Sequence, residues 1–422
     1  MQSQVWKPPG SPGLWGDFLE YLGRAEGGER VHPVTHEYLV HPRRVLTMSL
    51  PVRLEDGRVH TFAGYRVVHN IARGPSIGGV RYDPALTVGD VAGLAAWNTL
   101  KAAVLNLPFG GAAGGVVLDR RALATPEVER VSRRYMAELI NLAGPEVDVL
   151  APDFGTDEQV MAWFMDTYSQ GKGFIEPAVV VGKPDRLGGT RGRNDAVAVG
   201  LVHVTERFAA RHGMALKGAE VAVQGFGQVG RAVARVLHRL GAKVVAVSMD
   251  VGGLFDGDGL DVPALEAHFD REGTFDGFPA APLGNAELLA LSVDYLVLAA
   301  YQHVVHAGNA ESVHARVVVE GANVPITAEA DRILADRGVL VVPHVLAAGG
   351  NLVVGYYEWV QDLNQYFWDE RRVRQQLKAA LVRAYDQVEA RAEREGLPLR
   401  CAAHRLAIER VDEATRLRGV YP

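Results

Sequence analysis

Cysteine is almost missing from this chain of 422 residues, which contains Cys401 and no other. A single cysteine excludes an internal disulfide. The first residues, MQSQVWKPPGSPG, also lack the charged-then-apolar layout of a secretory signal. We therefore expect a cytoplasmic protein.

Long apolar runs and blocks of one charge sign are absent as well. The most apolar stretch, AAVLNLPFGGAAGGVVL, is broken by Asn106, Pro108 and several glycines, whereas a membrane helix needs roughly 20 predominantly apolar residues. The 44 basic and 50 acidic residues are interspersed and give a formal net charge of −6. This pattern argues against a membrane segment and against a nucleic-acid or polybasic surface.

The histidines form no metal motif, and lysine is scarce. His69, His303 and His344 lie far apart, and none belongs to a spacing such as H-E-x-x-H. We therefore expect no metal. The seven lysines are Lys7, Lys101, Lys172, Lys183, Lys217, Lys243 and Lys378.

Alternating strand and helix patterns predict an α/β protein of two domains. RVLTMSLPVRL and HTFAGYRVVHN, joined by EDGR, have the period-two pattern of a hairpin. TVGDVAGLAAWNTLKAAVLN begins with Thr87 and an acid three residues later, which predicts a helix that carries Lys101 near its end. The glycine-rich and charged stretch EPAVVVGKPDRLGGTRGRND predicts a boundary near residue 190.

A glycine fingerprint follows in the second half. Gly225, Gly227 and Gly230 form G-x-G-x-x-G between a predicted strand and a predicted helix, where the motif brings a pyrophosphate to the helix N-terminus. An acid about 20 residues later is expected to bind the ribose, and Asp250 lies at that distance, one residue beyond the predicted strand. A glycine turn that serves helix–strand packing alone would show the same letters.

The sequence resembles the glutamate dehydrogenase family along almost its whole length. The matching stretches are YRVVHNIARGP, GGVRY, LPFGG, APD, MAW, GKP, LGG, QGFGQVG, EGAN and YYEWVQ. The resemblance implies an N-terminal α/β substrate and oligomerisation domain (1–190), a Rossmann dinucleotide-binding domain (191–345) and C-terminal helices that pack back on the first domain (346–422). It also implies a hexamer and the reversible oxidative deamination of glutamate to 2-oxoglutarate and ammonia with NAD or NADP.

Several positions of the family's substrate site carry a different residue here. Removing a hydride from the amino-acid α-carbon leaves an iminium that water attacks, so proton transfer and charge stabilisation are needed. By the resemblance, Asp153 is the retained catalytic aspartate, now vestigial, whereas the catalytic lysine is replaced by Ala113. Lys101 matches the lysine that holds the α-carboxylate. The contacts to the distal carboxylate are lost, because Ile77 and Gly355 replace a lysine and a serine.

Simpler roles are open for the two retained residues. Lys101 near a helix end could be a solvated charge or could bind a terminal carbonyl, and Asp153 after a proline could be a turn or cap residue. A cluster of aromatic residues near the C-terminal third is expected to serve core or interface packing; it consists of Trp359, Tyr366, Phe367 and Trp368.

On the cofactor side, the resemblance retains Asn323 of EGAN. The acid at the strand end aligns with Met249 rather than with Asp250, the ATG motif reads AVA at 196–198, and Ala348 replaces an asparagine. We expect binding of NAD or NADP to be weakened or lost.

These changes predict a regulatory, catalytically inactive subunit of a hetero-oligomeric glutamate dehydrogenase. Its partner is expected to be a catalytically active paralogue, and its effector a leucine-like amino acid. One alternative is an active amino-acid dehydrogenase of the family with an apolar side-chain pocket, which Ile77 and Gly355 would suit; such relatives, however, keep a lysine where this chain has Ala113. A second alternative is an amino-acid sensor without catalysis.

Overall fold

The computed structural model describes residues 5–26 and 31–420, and its contacts divide the chain into two compact units. The first unit comprises Met1–Arg193, Leu352–Gln375 and His404–Pro422. The second comprises Asn194–Asn351 and Gln376–Ala403. The two-domain α/β prediction is confirmed.

The first unit is built on a five-stranded sheet in the order β1-β2-β4-β3-β5. Its strands are β1 (Arg44–Arg53), β2 (Val59–Asn70), β3 (Ser76–Tyr82), β4 (Gly110–Val116) and β5 (Asp148–Pro152). The predicted hairpin is confirmed, because β1 pairs with β2 in antiparallel register from Arg44↔Val68 to Arg53↔Val59. Strand β3 runs parallel to both β4 and β5.

Five helices of the first unit accompany this sheet: α1 (Gly13–Glu26), α2 (Pro33–Val40), α3 (Val88–Val104), α4 (Thr125–Leu139) and α5 (Glu158–Lys172). Helix α3 begins as predicted, since the Thr87 side chain accepts from the backbone N–H of Asp90 and the Asp90 carboxylate accepts from that of Thr87. This reciprocal cap satisfies two of the helix's unpaired N-terminal donors. One hydrophobic core lies between the sheet and α4 and α5, around Tyr135 and Phe164.

The second unit contains a seven-stranded sheet in the order β12-β11-β10-β6-β7-β8-β9. Its strands are β6 (Glu220–Gln224), β7 (Lys243–Met249), β8 (Gly252–Phe255), β9 (Ala281–Leu283), β10 (Tyr295–Leu298), β11 (Val317–Glu320) and β12 (Leu340–Val342). The first five in spatial order are parallel, and β8 and β9 are antiparallel. Because β6 has β10 on one side and β7 on the other, the strand order reverses there, as in doubly wound sheets that bind ligands at this point.

The helices of the second unit are α6 (Ala196–Arg211), α7 (Gln228–Arg239), α8 (Val262–Glu272), α9 (Asn285–Leu289), α10 (Ala328–Asp336) and α11 (His344–Ala347). Three further helices complete the described chain: α12 (Gly350–Asn364), α13 (Glu370–Glu395) and α14 (Leu399–Arg418). Each of the three has residues in both units. The segment Gln376–Ala403 groups with the second unit, which the linear predicted ranges do not anticipate.

Candidate functional site

Three parallel strands of the first unit carry three of the predicted site residues. Ile77 lies in β3, between Gly111 of β4 and Val149 of β5. Ala113 lies in β4, opposite Val67 of β2. Asp153 directly follows β5. Since neighbouring strands are about 4.8 Å apart, the fold brings these three positions onto adjacent strands of one sheet.

Two glycines of β3, Gly78 and Gly79, leave space for neighbouring backbone and for the Asp153 carboxylate. A Cβ at Gly78 would lie 1.6 Å from the carbonyl oxygen of Ala112, so no side chain fits there. A Cβ at Gly79 would lie 2.7 Å from the Cβ of Asp153 and 2.8 Å from its Oδ2. The pair therefore allows close backbone packing and leaves room for the Asp153 carboxylate.

Ala113 is enclosed in the sheet. Its side chain is 1% exposed, and all seven residues of β4 are buried. A methyl group can neither transfer a proton nor carry a charge, so position 113 supplies no acid–base chemistry.

Asp153 has a cationic partner that the sequence did not identify. Arg81 of β3 donates to Asp153 Oδ1 from Nη2 at 3.1 Å and from Nε at 3.3 Å. The same oxygen accepts from the backbone N–H of Phe154 at 2.6 Å, and the Asp153 backbone N–H donates to Thr156 Oγ1. Asp153 therefore both stabilises the turn after β5 and forms an ion pair with Arg81. A signal for Arg81 was available, because it lies two residues beyond Gly79 in the matched GGVRY stretch.

Lys101 lies in the last turn of α3 and is 6% exposed. It is therefore not the solvated charge that the simplest interpretation suggests. Its backbone carbonyl accepts from the N–H of Leu105, which continues the helix to its C-cap. A buried lysine amine at a helix C-terminus can bind an anionic group.

Gly355 of α12 faces a charged side chain. A Cβ at this position would lie 3.1 Å from Arg193 Nη1 and 3.3 Å from Val181 Cγ2. Burial lowers the pKa of Arg193, and its Nη1 lies 3.9 Å from Glu358 Oε2. A serine at position 355 would therefore require a small shift of the Arg193 side chain. The sequence motifs alone do not identify Arg193 as part of this site.

Behind Gly355 lies a buried ionic network. Lys183 Nζ donates to Glu358 Oε1 at 2.9 Å, to Asp362 Oδ2 at 2.6 Å and to the carbonyl of Val180 at 3.1 Å. Glu358 Oε1 also accepts from the backbone N–H of Gly182. Burial raises the pKa of Asp362 to about 7, against the opposing effect of the Lys183 ammonium.

The LPFGG loop packs against the YYEW motif within the first unit. The Phe109 ring lies 5.9 Å from that of Tyr356 and 5.2 Å from that of Trp359, edge to face in both cases. A Cβ at Gly74 of the ARGP motif would lie 2.1 Å from the Pro108 carbonyl oxygen. Three matched motifs that are distant in sequence therefore meet in one place.

The glycine fingerprint of the second unit has the geometry of a phosphate cradle. Gly225 has a φ of +98°, and its Cβ would lie 2.8 Å from the backbone of Ala299 and Ala300. A Cβ at Gly230 would lie 1.7 Å from the Gly225 carbonyl oxygen. Gly227 is open on its Cβ side and begins α7 without a side-chain cap. The loop therefore fits a pyrophosphate at the helix N-terminus.

On the ribose side of this cradle, β7 ends in a methionine rather than an acid. Met249 is the last residue of β7, and Asp250 lies in the turn beyond it. Asn285 occupies this end of the strand, since its Nδ2 donates to the Met249 carbonyl at 2.6 Å and its Oδ1 accepts from Ser248 Oγ at 2.7 Å. Asn323 follows β11 and precedes Val324, whose φ is +47°.

Residues 5–26 and 31–420 were compared with two kinds of feature that would change the functional interpretation: a membrane span and a metal site. No helix there is long and apolar enough to cross a membrane. No group of three or more His, Cys, Asp and Glu side chains there is arranged to hold a metal ion.

Comparison with known proteins gives matches over nearly all of the chain. The model of the Glutamate/Leucine/Phenylalanine/Valine dehydrogenase family matches residues 188–419, and that of its dimerisation domain matches residues 42–170. The chain is 47% identical to a glutamate dehydrogenase of Thermotoga maritima, over 96% of this chain and 98% of that one. It is 41% identical to an NAD-specific glutamate dehydrogenase of Staphylococcus aureus, over 96% and 97%.

Among solved structures, the chain is similar to a hetero-hexameric glutamate dehydrogenase from Thermus thermophilus in a Leu-bound form. The TM-score is 0.96 and the identity 51%, over 99% of this chain and all of the other. A glutamate dehydrogenase from Peptoniphilus asaccharolyticus matches with a TM-score of 0.82 and 33% identity, over 97% of this chain and all of that one.

Proposed function

We propose a function on the premise that this chain belongs to the glutamate/leucine/phenylalanine/valine dehydrogenase family: it is the regulatory, noncatalytic subunit of a hetero-oligomeric glutamate dehydrogenase. The observation that carries the proposal is Ala113. It stands where the family resemblance expects the catalytic lysine, in a fully buried strand.

The rest of the substrate site supports the same conclusion. Asp153 has an arginine as its cation, and a guanidinium does not release its proton in proteins. Ile77 is 1% exposed and apolar, and Gly355 has no hydroxyl, so the distal carboxylate of glutamate lacks both family contacts. A buried carboxylate without a partner costs several kcal/mol. Loss of an acid–base group costs about a hundredfold to ten-thousandfold in rate.

A partner and an effector follow from the same proposal. The Thermus thermophilus protein is hetero-hexameric and was crystallised with Leu. By analogy with that protein, we propose that this chain has an active paralogue as its partner, assembles into a hexamer and responds to a leucine-like effector. The family uses NAD or NADP. We propose that this chain binds the dinucleotide weakly, because the glycine cradle is kept while Met249 replaces the strand-end acid.

The rival is an active dehydrogenase of the family with an apolar side-chain pocket. Ile77 and the Val181 methyl group beside Gly355 favour such a pocket. The 47% identity to a glutamate dehydrogenase of Thermotoga maritima favours an active enzyme. The two functions differ at position 113, since an active enzyme needs another group in place of the missing amine.

Copurification tests the proposal. The chain, tagged and expressed with an active paralogue from the same cells, is expected to elute in one oligomeric peak that contains both chains. Millimolar leucine is expected to raise the melting temperature of the complex, with aspartate as a matched control ligand. A stable homo-oligomer that excludes the paralogue would count against the regulatory role, and no leucine shift would count against the effector.

A further inference from the structure

The carboxyl end of β7 in the second unit carries an amide in place of the missing acid. Asn285, the first residue of α9, donates from Nδ2 to the Met249 carbonyl at 2.6 Å. Its Oδ1 accepts from Ser248 Oγ at 2.7 Å, and Ser248 is fully buried. These two partners fix the position and the orientation of the amide, because a carbonyl can only accept. Asn285 is therefore a firmly placed polar group at the end of the strand.

Asn285 lies next to the glycine cradle. The backbone N–H of Gly225 donates to the Ser248 carbonyl at 3.0 Å. Ser248 thus binds the first glycine of the cradle through its backbone and Asn285 through its side chain. In doubly wound sheets a pyrophosphate at this helix N-terminus directs its adenosine ribose towards the end of the second strand, which is β7 here. The ribose hydroxyls would therefore approach the strand end at which Asn285 lies.

The amide of Asn285 keeps hydrogen-bonding capacity for such a ligand. A primary amide has two N–H donors and an oxygen with two lone pairs. Its bonds to the Met249 carbonyl and the Ser248 hydroxyl use one donor and one lone pair. The side chain is only partly buried, so the second N–H and the second lone pair can serve a ligand. A ribose hydroxyl both donates and accepts, and it therefore fits either of them.

Asp250 is the rival for the ribose contact. Because Met249 of β7 pairs with Gly252 of β8 in antiparallel register, Asp250 and Val251 are the two apex residues of a tight hairpin. Both are exposed. A side chain at such an apex is hydrated and loses conformational freedom when it binds. Asn285 loses less, because two hydrogen bonds already fix its amide against the strand.

We propose that Asn285 is the residue of this chain that contacts the adenosine ribose, in the role that a strand-end acid has in other dinucleotide-binding domains. The inference rests on the weak dinucleotide binding proposed above and gives it a cause. Hydrogen bonds to a carboxylate are roughly twice as strong as those between neutral groups. An amide in place of the acid therefore keeps the contact and lowers its strength.

The test combines a change in the protein with a change in the ligand. Binding of ADP and of dideoxy-ADP, which lacks both ribose hydroxyls, to the purified full chain is measured by isothermal titration calorimetry. We expect the unsubstituted chain to bind ADP about threefold to tenfold more tightly, as one neutral hydrogen bond would give. In Asn285→Ala this preference should fall below about twofold, because the contact is already lost. A variant that keeps the full preference would overturn the inference, since Asn285 would then serve only to join α9 to β7.

Two further variants complete the test. Asp250→Asn is the matched control, because it removes the nearby carboxylate and leaves the amide; it is expected to keep the preference for the hydroxyls. Asn285→Ser, whose side chain is too short to bind both strand partners, is a second variant and is expected to lose the preference. If only Asp250→Asn loses it, or if the unsubstituted chain binds neither nucleotide at millimolar concentration, the inference is wrong. The noncatalytic role stands in both cases, because it depends on Ala113.

Discussion

The carboxylate of Asp153 is bound by the guanidinium of Arg81, with 3.1 Å between Oδ1 and Nη2. The pair lies beside Gly79, whose missing side chain leaves the space that the carboxylate occupies. The acid that the family resemblance expects to work with a lysine is thus present, ion-paired and without that lysine.

Ala113→Lys alone should not restore glutamate oxidation. Ile77 and Gly355 still leave the distal carboxylate unpaired, so we expect activity to stay at least about a hundredfold below that of an active relative. Initial rates of NAD and NADP reduction measure this. Adding Ile77→Lys and Gly355→Ser should raise the rate above that of the single variant; high activity of the single variant would mean that the other losses are unimportant.

Breaking the buried ion pair of Arg66 and Asp148 should destabilise the first unit strongly. Both side chains are 3% exposed, and they make two hydrogen bonds of 2.8 and 2.6 Å. Asp148→Asn or Arg66→Met should cost about 3–5 kcal/mol, because each leaves a buried charge unpaired. Urea unfolding measures the cost. The double variant should cost less than the sum of the two; strict additivity would show that the pair is not coupled.

Acid should destabilise the fold through His69. Burial lowers the pKa of His69 to about 4, and its ring nitrogens contact Thr99 Oγ1 at 2.8 Å and the Leu39 carbonyl at 2.9 Å. Between pH 6.5 and 4 the unfolded chain binds a proton that the folded chain does not, so stability falls by up to about 3 kcal/mol as the pH drops through this window. His69→Gln should flatten that part of the pH profile, whereas the exposed His60→Gln should leave it unchanged.

Asp362 should act with the opposite sign. Burial raises its pKa to about 7 from an ordinary value of 3.8. Between these values the folded chain holds the proton more tightly than the unfolded chain, so this group makes stability fall as the pH rises from 4 to 7. In urea titrations across this range, Asp362→Asn should remove the contribution and the exposed Asp369→Asn should keep it. An unchanged slope in Asp362→Asn would contradict the assignment.

Val324→Gly should destabilise the second unit less than a matched valine-to-glycine change. Val324 is buried and has a φ of +47°, a left-handed conformation that is costly for a β-branched residue. Glycine adopts it freely, so relief of about 1–2 kcal/mol offsets part of the roughly 1.5–3 kcal/mol that the buried side chain contributes. Val318→Gly, at an equally buried position in β11, lacks this relief and should lower the free energy of unfolding by more. Equal losses for the two variants in urea unfolding would show that the backbone of Val324 is not strained.

Local patterns predicted the fold well. The Thr87 cap, the EDGR hairpin and the glycine cradle before α7 each depend on residues close in sequence, so each could be predicted from the local amino-acid pattern. The contact of Phe109 with Trp359 is different, because it joins segments about 250 residues apart. Period and composition do not say which distant helix covers a given loop.

Individual charges were harder to predict than elements. Lys101 lies among apolar residues in the sequence, whereas Lys183 lies in a glycine-rich and charged stretch, and the structure buries both. The partners of Lys183 come from α12, far along the chain. The sequence does not reveal the role of Arg81, because its partner Asp153 follows a different strand, β5. The Asp153 carboxylate lies beside Gly79 of β3, and only the folded sheet brings the two residues together.

Turnover by the purified chain tests the central claim most directly. Glutamate oxidation and 2-oxoglutarate amination are measured with NAD and with NADP, first for the chain alone and then after mixing with its active paralogue. The noncatalytic role predicts no turnover alone, and a changed rate or leucine response of the paralogue in the mixture. Clear turnover by the chain alone would mean that another group replaces the missing lysine at position 113, and the regulatory account would be wrong.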